Sequence, residues 1–401
     1  MGKNNDIIQS YCKKIYLIGS GNFWFVEGEV VGDDRRWFYR LYTFILISIY
    51  VITTLLEILA VLFGEYPEDE MGDAVTFAVS HSIVVTKIIS VIMNKNLIRN
   101  INKNMIESCE KYEESNLMER MYKILKINIL AYFIVVYGAC VCYVFEGFRR
   151  LSEGSHFVTV VTYYPTHEDN SLMATVFRIF ATLVLYVMMM SMIVSVDSYT
   201  MTNLIMLKYK FITLRHYFEK LREEFDKTSI TGNLQQATEK LTNGLVEGIV
   251  MHNQLLMLGK DIHTAFGMVI SLQLLLSSGS AVSLLLQIAL SDEITFVASM
   301  KVIFFVAALF FLLGLFLCNA GEITYQASLL SNAIFYCGWY LSPVLPSRQR
   351  NLRQIVLRAC MQTQHPPVMK AFKMIELTYA TFLQVLRGTY SVFALFYARR
   401  K

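Results

Sequence analysis

Seven stretches of the chain are apolar over the roughly 20 helical residues that cross the hydrocarbon of a bilayer. They lie near 39–63, 74–93, 127–147, 172–196, 264–290, 301–321 and 372–397. Nothing else constrains the fold as much, because a soluble core could not bury them all. Hydrophobic residues make up 55% of the 401 and charged ones only 17%. The expected fold is an all-α membrane protein with seven transmembrane helices.

Orientation follows from lysine and arginine, which collect on the cytoplasmic side of spans. The first 40 residues carry six, 94–126 seven, 198–262 eight and 322–373 six. The segment EYPEDEMGD (65–73) carries none and has five acids, and 291–300 also carries none. The N-terminus is therefore expected in the cytoplasm and the C-terminus outside, although Arg399, Arg400 and Lys401 oppose this. The expected organisation is a cytoplasmic segment 1–38, six spans over 39–321, a cytoplasmic segment 322–371, and a seventh helix with a short extracellular tail over 372–401. Residues 204–226 put apolar groups at 207, 211, 214, 218, 221 and 225, a helical spacing. Spans four and five are thus expected to continue as helices through the cytoplasmic loop 198–262.

Several function classes are excluded. A cytoplasmic N-terminus is wrong for a G-protein-coupled receptor. The basic residues are dispersed and form no stripe for nucleic acid. Lys13 and Lys14 interrupt the longest apolar run of the first 25 residues, so these are not a signal peptide. The seven cysteines lack zinc spacing and are read as free thiols. No Ser-His-Asp or His-x-x-x-His grouping occurs, and His167-Glu168-Asp169 is the only set that a membrane-embedded enzyme could use. No enzyme activity, metal or cofactor is expected.

Two stretches carry a family resemblance. They are GEITYQASLLSNAIFYCGWY (321–340) and QHPPVMKAFKMIELTYATFLQVLRGTYSVFALF (364–396). Ser328, Ala333, Trp339-Tyr340, Pro366, Ala371, Phe382, Leu386, Arg387 and Tyr390-Ser391 stand in an order and spacing similar to the C-terminal signature of the insect odorant receptors. GIVMHNQLLMLGKDI (248–262) resembles the helix leading into their fifth span. The related gustatory receptors, the alternative ligand-gated channel, place a Gln-Phe after Thr-Tyr. Here Ala394-Leu395-Phe396 follows Thr389-Tyr390. The odorant coreceptor has a longer loop between spans four and five, so this chain resembles a ligand-specific tuning subunit. The resemblance implies a hetero-tetrameric, non-selective cation channel formed with coreceptor subunits. It implies a location in the plasma membrane of olfactory sensory neurons, within membrane lipid. It also implies a seventh helix lining the pore, a cytoplasmic anchor, and a small volatile odorant held among the outer halves of spans two to six.

A volatile ligand needs an apolar cavity with few polar groups to orient it. Helical stripes near the outer ends supply candidates: Phe77, His81 and Val84 in span two, and Tyr137, Val141 and Phe145 in span three. Phe177, Ala181 and Leu185 follow in span four, Ser278 and Val282 in span five, and Val302 and Phe305 in span six. His81 and Tyr137 are the expected polar handles, suited to an ester, alcohol or aldehyde oxygen. Tyr163 and Tyr164 are expected above them as a lid. Lys87, Arg178 and Arg387 lie within spans and need partners or water. Glu57, Glu146 and Asp197 are available, and Lys87 is also placed to snorkel.

In the seventh helix, at 100° per residue, Phe382, Leu386, Thr389, Phe396 and Tyr397 fall within about 60° of Phe393, with Tyr390 at the edge. Arg387 lies about 120° away. The apolar stripe is expected to face the pore, with Phe393 and Tyr397 as a hydrophobic gate.

Overall fold

The computed structural model describes the chain apart from residues 1–2, 27–30, 67, 153–158, 167, 170, 231–233, 291–295, 342–345 and 401. It is a helical bundle. A short helix, α1 (Lys3–Leu17), precedes α2 (Trp37–Phe63), α3 (Glu68–Met93), α4 (Lys95–Glu107) and α5 (Ser115–Ser152). Then come α6 (Leu172–Ser191), α7 (Ser198–Ile230), α8 (Leu234–Leu290) and α9 (Phe296–Ser328). The short α10 (Leu330–Phe335), α11 (Pro346–Thr363) and α12 (Tyr379–Arg400) complete it. Among the described residues, six helices are long and apolar enough to cross a membrane; they include α2, α3, α5, α8 and α9, and one continuous rod over Leu172–Ile230. The seventh span is α12.

Local chemistry sets the breaks. Ser171 caps α6, its Oγ accepting from the Ala174 amide at 3.1 Å. Between α6 and α7 the residues Met192–Asp197 take a π-helical turn, which widens the rod without breaking it. The seventh helix begins later than the hydropathy run suggested. Instead, Lys370–Ala371 (β1) pairs antiparallel with Ile375–Glu376 (β2) in a small hairpin. Phe372 and Lys373 turn this hairpin at positive φ, 50° and 62°. The Phe372 amide donates to Ser271 Oγ of α8 at 2.9 Å, which ties the hairpin to the bundle.

The core centres on α7, buried continuously from Ser198 to Phe211. A segment that is apolar or hydrogen-bonded on every face must be an interior post. Its Tyr199 hydroxyl donates to Asn102 Oδ1 of α4 at 2.5 Å, and Asn102 Nδ2 donates to the Phe23 carbonyl at 2.8 Å. The segment after α1 is thereby fastened under the bundle. Beyond the membrane-length portion, α7 and α8 run on side by side. Gly248 lets them approach: a Cβ there would lie 2.5 Å from the ring of the fully buried Phe218. Gly248→Ala should lower stability by about 1–3 kcal/mol through overpacking. A melting curve of the purified protein checks this. Gly279→Ala, where an added Cβ meets nothing within 4 Å, is the neutral control.

Candidate ligand cavity

A cavity of about 70 Å³ lies inside the bundle. Phe77, Ser80, His81 and Val84 of α3 form one wall, and Tyr132, Val136, Ala139, Cys140 and Tyr143 of α5 another. Leu185 and Met189 of α6 and Met192 of the π turn close a third side, Gln273 and Leu276 of α8 a fourth, and Phe305, Ala308, Leu309 and Leu312 of α9 the last. Phe77 anchors the aromatic part, 4.9 Å from the Tyr143 ring and 6.5 Å from Phe305 between centroids. An engineered cavity of about 150 Å³ holds benzene. At about 70 Å³, this one must open before a ring-sized molecule fits. Met189 and Met192, unbranched and polarisable, are the wall residues that repack most readily.

The expected residues divide. Phe77, His81, Val84, Leu185 and Phe305 lie on the wall. Ala181 lines a smaller cavity of about 10 Å³, which His81 and Leu185 separate from the main one. Val141 and Phe145 do not line either cavity: they are 45% and 64% exposed and face outward. Tyr137 stacks on Phe133 at 4.5 Å, beside Tyr186 rather than at the wall. The inward face of α5 is rotated by about one residue, onto Tyr132, Val136, Ala139 and Tyr143. This helix is apolar all round its span, so periodicity could not select a face. Phe177 sits higher, edge-on to Tyr164 at 5.5 Å. Ser278 donates to its own helix at the Leu274 carbonyl, 2.8 Å away, and the α8 wall is instead Gln273 and Leu276. Val282 is half-buried further along α8. Val302 is buried above the α9 wall, which starts one turn later at Phe305.

Lys87 and Arg178 have partners within the bundle, whereas Arg387 is exposed. Lys87 does not snorkel; it is fully buried, 3.3 Å from Asp197 Oδ1 and 2.5 Å from Gln273 Oε1. The Tyr132 hydroxyl donates to Asp197 Oδ2 at 2.7 Å. Gln273 Nε2 donates to Ser277 Oγ at 2.9 Å, and Ser277 in turn donates to the Leu309 carbonyl at 3.0 Å. Tyr132 and Gln273 thus belong both to the cavity wall and to this network. His81, expected to be a free handle, is occupied: its Nδ1 lies 2.8 Å from both carboxylate oxygens of Glu57. Glu146 pairs with Arg149 at 2.8 Å, and Arg178 donates to the Thr166 carbonyl at 3.1 Å. Composition gave no pairing for these groups; apart from the local pair Glu146–Arg149, they meet only through the packing of the bundle. Among the described residues no cluster of His, Cys, Asp or Glu could hold a metal. His167 lies outside the described residues.

The stripe expected to face a pore mostly packs on the chain's own bundle. Phe382 lies against α9, where a Cβ on Gly314 would be 3.2 Å from its ring. Leu386 and Phe393 are half-buried, and Thr389 is buried and donates to the Val385 carbonyl at 3.0 Å. Tyr390 and Phe396 are exposed, and the Tyr397 side chain lies outside the described residues. An exposed line runs along α12 through Leu383, Arg387 and Ser391.

The whole fold is similar to that of the insect olfactory receptor OR5 from Machilis hrabei. The match has a TM-score of 0.80 at 13% identity and covers 98% of this chain and 99% of that one. The same receptor solved in complex with eugenol matches with a TM-score of 0.77, also at 13% identity, covering 98% and 99%. No curated protein sequence matches the chain. The model of one family does, described as 7tm Odorant receptor, over residues 68–390. Its members are receptors rather than enzymes, and the helices that wall the cavity all lie in or overlap the matched region. An odorant-receptor model spanning most of the sequence, on a bundle of the same architecture, establishes that this chain belongs to the 7tm odorant receptor family.

Proposed function

We propose that the chain is the ligand-specific subunit of an odorant-gated, non-selective cation channel, assembled with coreceptor subunits in the plasma membrane of olfactory sensory neurons. The observation that carries this is the enclosed apolar cavity amid five helices, with few polar groups at its wall. The eugenol bound by the Machilis receptor is a ligand of the expected size and polarity. The charge bias supports an orientation with α1, α4 and the long ends of α7 and α8 in the cytoplasm. In that orientation the cavity lies in the middle and outer part of the membrane.

The proposed pore wall is the exposed line Leu383, Arg387 and Ser391 of α12, in place of the packed Phe393 stripe. Whole-cell current in cells expressing the chain with and without a coreceptor, during an odorant panel, tests the function. No odorant-dependent current in either case would remove the channel reading. A cation at a water-filled constriction repels a passing cation by about 1 kcal/mol at about 4 Å. Arg387→Gln should therefore raise the odorant-evoked current about fivefold at equal surface expression. A thiol reagent should alter that current through Ser391→Cys and not through the buried Thr389→Cys; the reverse pattern would return the pore to the Phe393 face.

A further inference from the structure

We infer that the Ser80 hydroxyl orients the bound molecule, and that the cavity takes small uncharged ligands with one oxygen on an otherwise apolar frame. This rests on the reading of the cavity as the ligand site. Ser80 is 5% exposed and lines the cavity, and its Oγ has no hydrogen-bond partner. Its helix shows how unusual that is. Thr76, Ser82 and Thr86 of α3 each donate to the carbonyl four residues back, at 3.0, 2.6 and 2.7 Å. Serine within an apolar helix ordinarily does this, because the carbonyl is always in reach. Ser80 forgoes that bond. A buried polar atom without a partner calls for an explanation, and a group absent from the empty site is the simplest one.

Three other polar wall groups are already hydrogen-bonded. His81 is held by Glu57, Tyr132 by Asp197, and Gln273 by Lys87 and Ser277. Tyr143 packs its ring between Phe77 and Phe305. A ligand oxygen that bonds Ser80 disturbs none of these contacts. The engaged groups would have to surrender an existing partner first. A charged group on the ligand would have no counter-ion at the wall, since the nearby carboxylates are already matched. A carbonyl, ether or hydroxyl oxygen fits, with the rest of the molecule against Phe77, Val84 and Leu276.

The test uses matched ligands on the purified full-length receptor in lipid nanodiscs: benzaldehyde against toluene, cyclohexanone against methylcyclohexane, and 4-allylphenol against allylbenzene. Thermal stabilisation against ligand concentration gives apparent affinities without any channel readout. The wild type should bind the oxygenated member about tenfold more tightly, about 1.4 kcal/mol. Ser80→Ala should erase that preference without lowering the melting temperature of the empty receptor. Ser80→Thr, which keeps the hydroxyl, should retain the preference. Equal preference in wild type and Ser80→Ala overturns the role of Ser80 and leaves the cavity as the site. If no member of any pair stabilises the wild type, the reading of the cavity as a ligand site fails, and the inference with it.

Discussion

Lys87→Met is expected to remove a large share of the receptor's stability. Lys87 and Asp197 are both fully buried, 3.3 Å apart. Methionine keeps the length of the side chain and removes its charge. Asp197 would then be an ion in the interior of the bundle with only the Tyr132 hydroxyl to satisfy it. Removing one partner of a buried pair costs about 3–5 kcal/mol, because the other charge is stranded. Whole domains are stable by only about 5–15 kcal/mol. The cell-surface level and the melting temperature should both fall clearly. The double variant Lys87→Met with Asp197→Leu strands no charge, and should recover most of the loss. A double-mutant cycle on the melting transition should therefore give a coupling of at least about 2 kcal/mol. The exposed pair Lys103–Glu107, 4.0 Å apart, supplies the contrast. Lys103→Met should change stability by no more than about 1 kcal/mol. A Lys87→Met receptor as stable as wild type would show that the network does not hold the bundle.

The network also explains why the π turn sits where it does. Met192–Asp197 offers Met192 to the cavity and Asp197 to Lys87 of α3 within a single widened turn. A regular helix through the same residues would turn Asp197 to a different azimuth. Tyr132 and Gln273 then link the wall to the buried pair at the junction of α3, α5, the π turn and α8.

Sequence patterning disclosed the spans and the family, because both are written in local runs of residues. Rotation about a helix axis was legible only where polar residues marked one side. In α3, His81 and the hydroxyl residues broke the apolar run, and Phe77, His81 and Val84 duly lie on the cavity wall. In α5 the span is apolar in every direction, so the chosen stripe through Val141 and Phe145 emerged on the outside. The same blindness affected α12. An apolar stripe suits a dry gate, but it suits packing against α9 equally well, and Phe382 beside Gly314 does the latter. Asp197 stood among the possible partners of Lys87, but the pairing could not be assigned. Asp197 is 110 residues away and Gln273 is 186, and the pairing depends on a π turn that no composition rule announces.

Ala308→Leu is expected to silence the receptor while making it more stable, a combination that a damaged fold cannot produce. Ala308 is buried on α9 with its methyl at the wall. The cavity beside it is about 70 Å³, so a leucine side chain extended into it takes most of the space. Residual cavities cost about 24 cal/mol per Å³, so filling this one returns up to about 1.7 kcal/mol, less any strain from an imperfect rotamer. A ligand would then have to displace a packed side chain as well as open the wall. Its affinity should fall by about 100-fold or more, equivalent to about 2.7 kcal/mol. The measurements are the melting temperature of the purified receptor and the dose-response of odorant-evoked current at matched surface expression. Ala139→Leu approaches the same space from α5 and should act in the same direction. If the proposed function holds, the empty volume serves ligand binding at the expense of the packing that a single larger residue would bring. Retained sensitivity in both variants, with raised melting temperatures, would mean that the cavity is a packing defect and that odorant binds elsewhere.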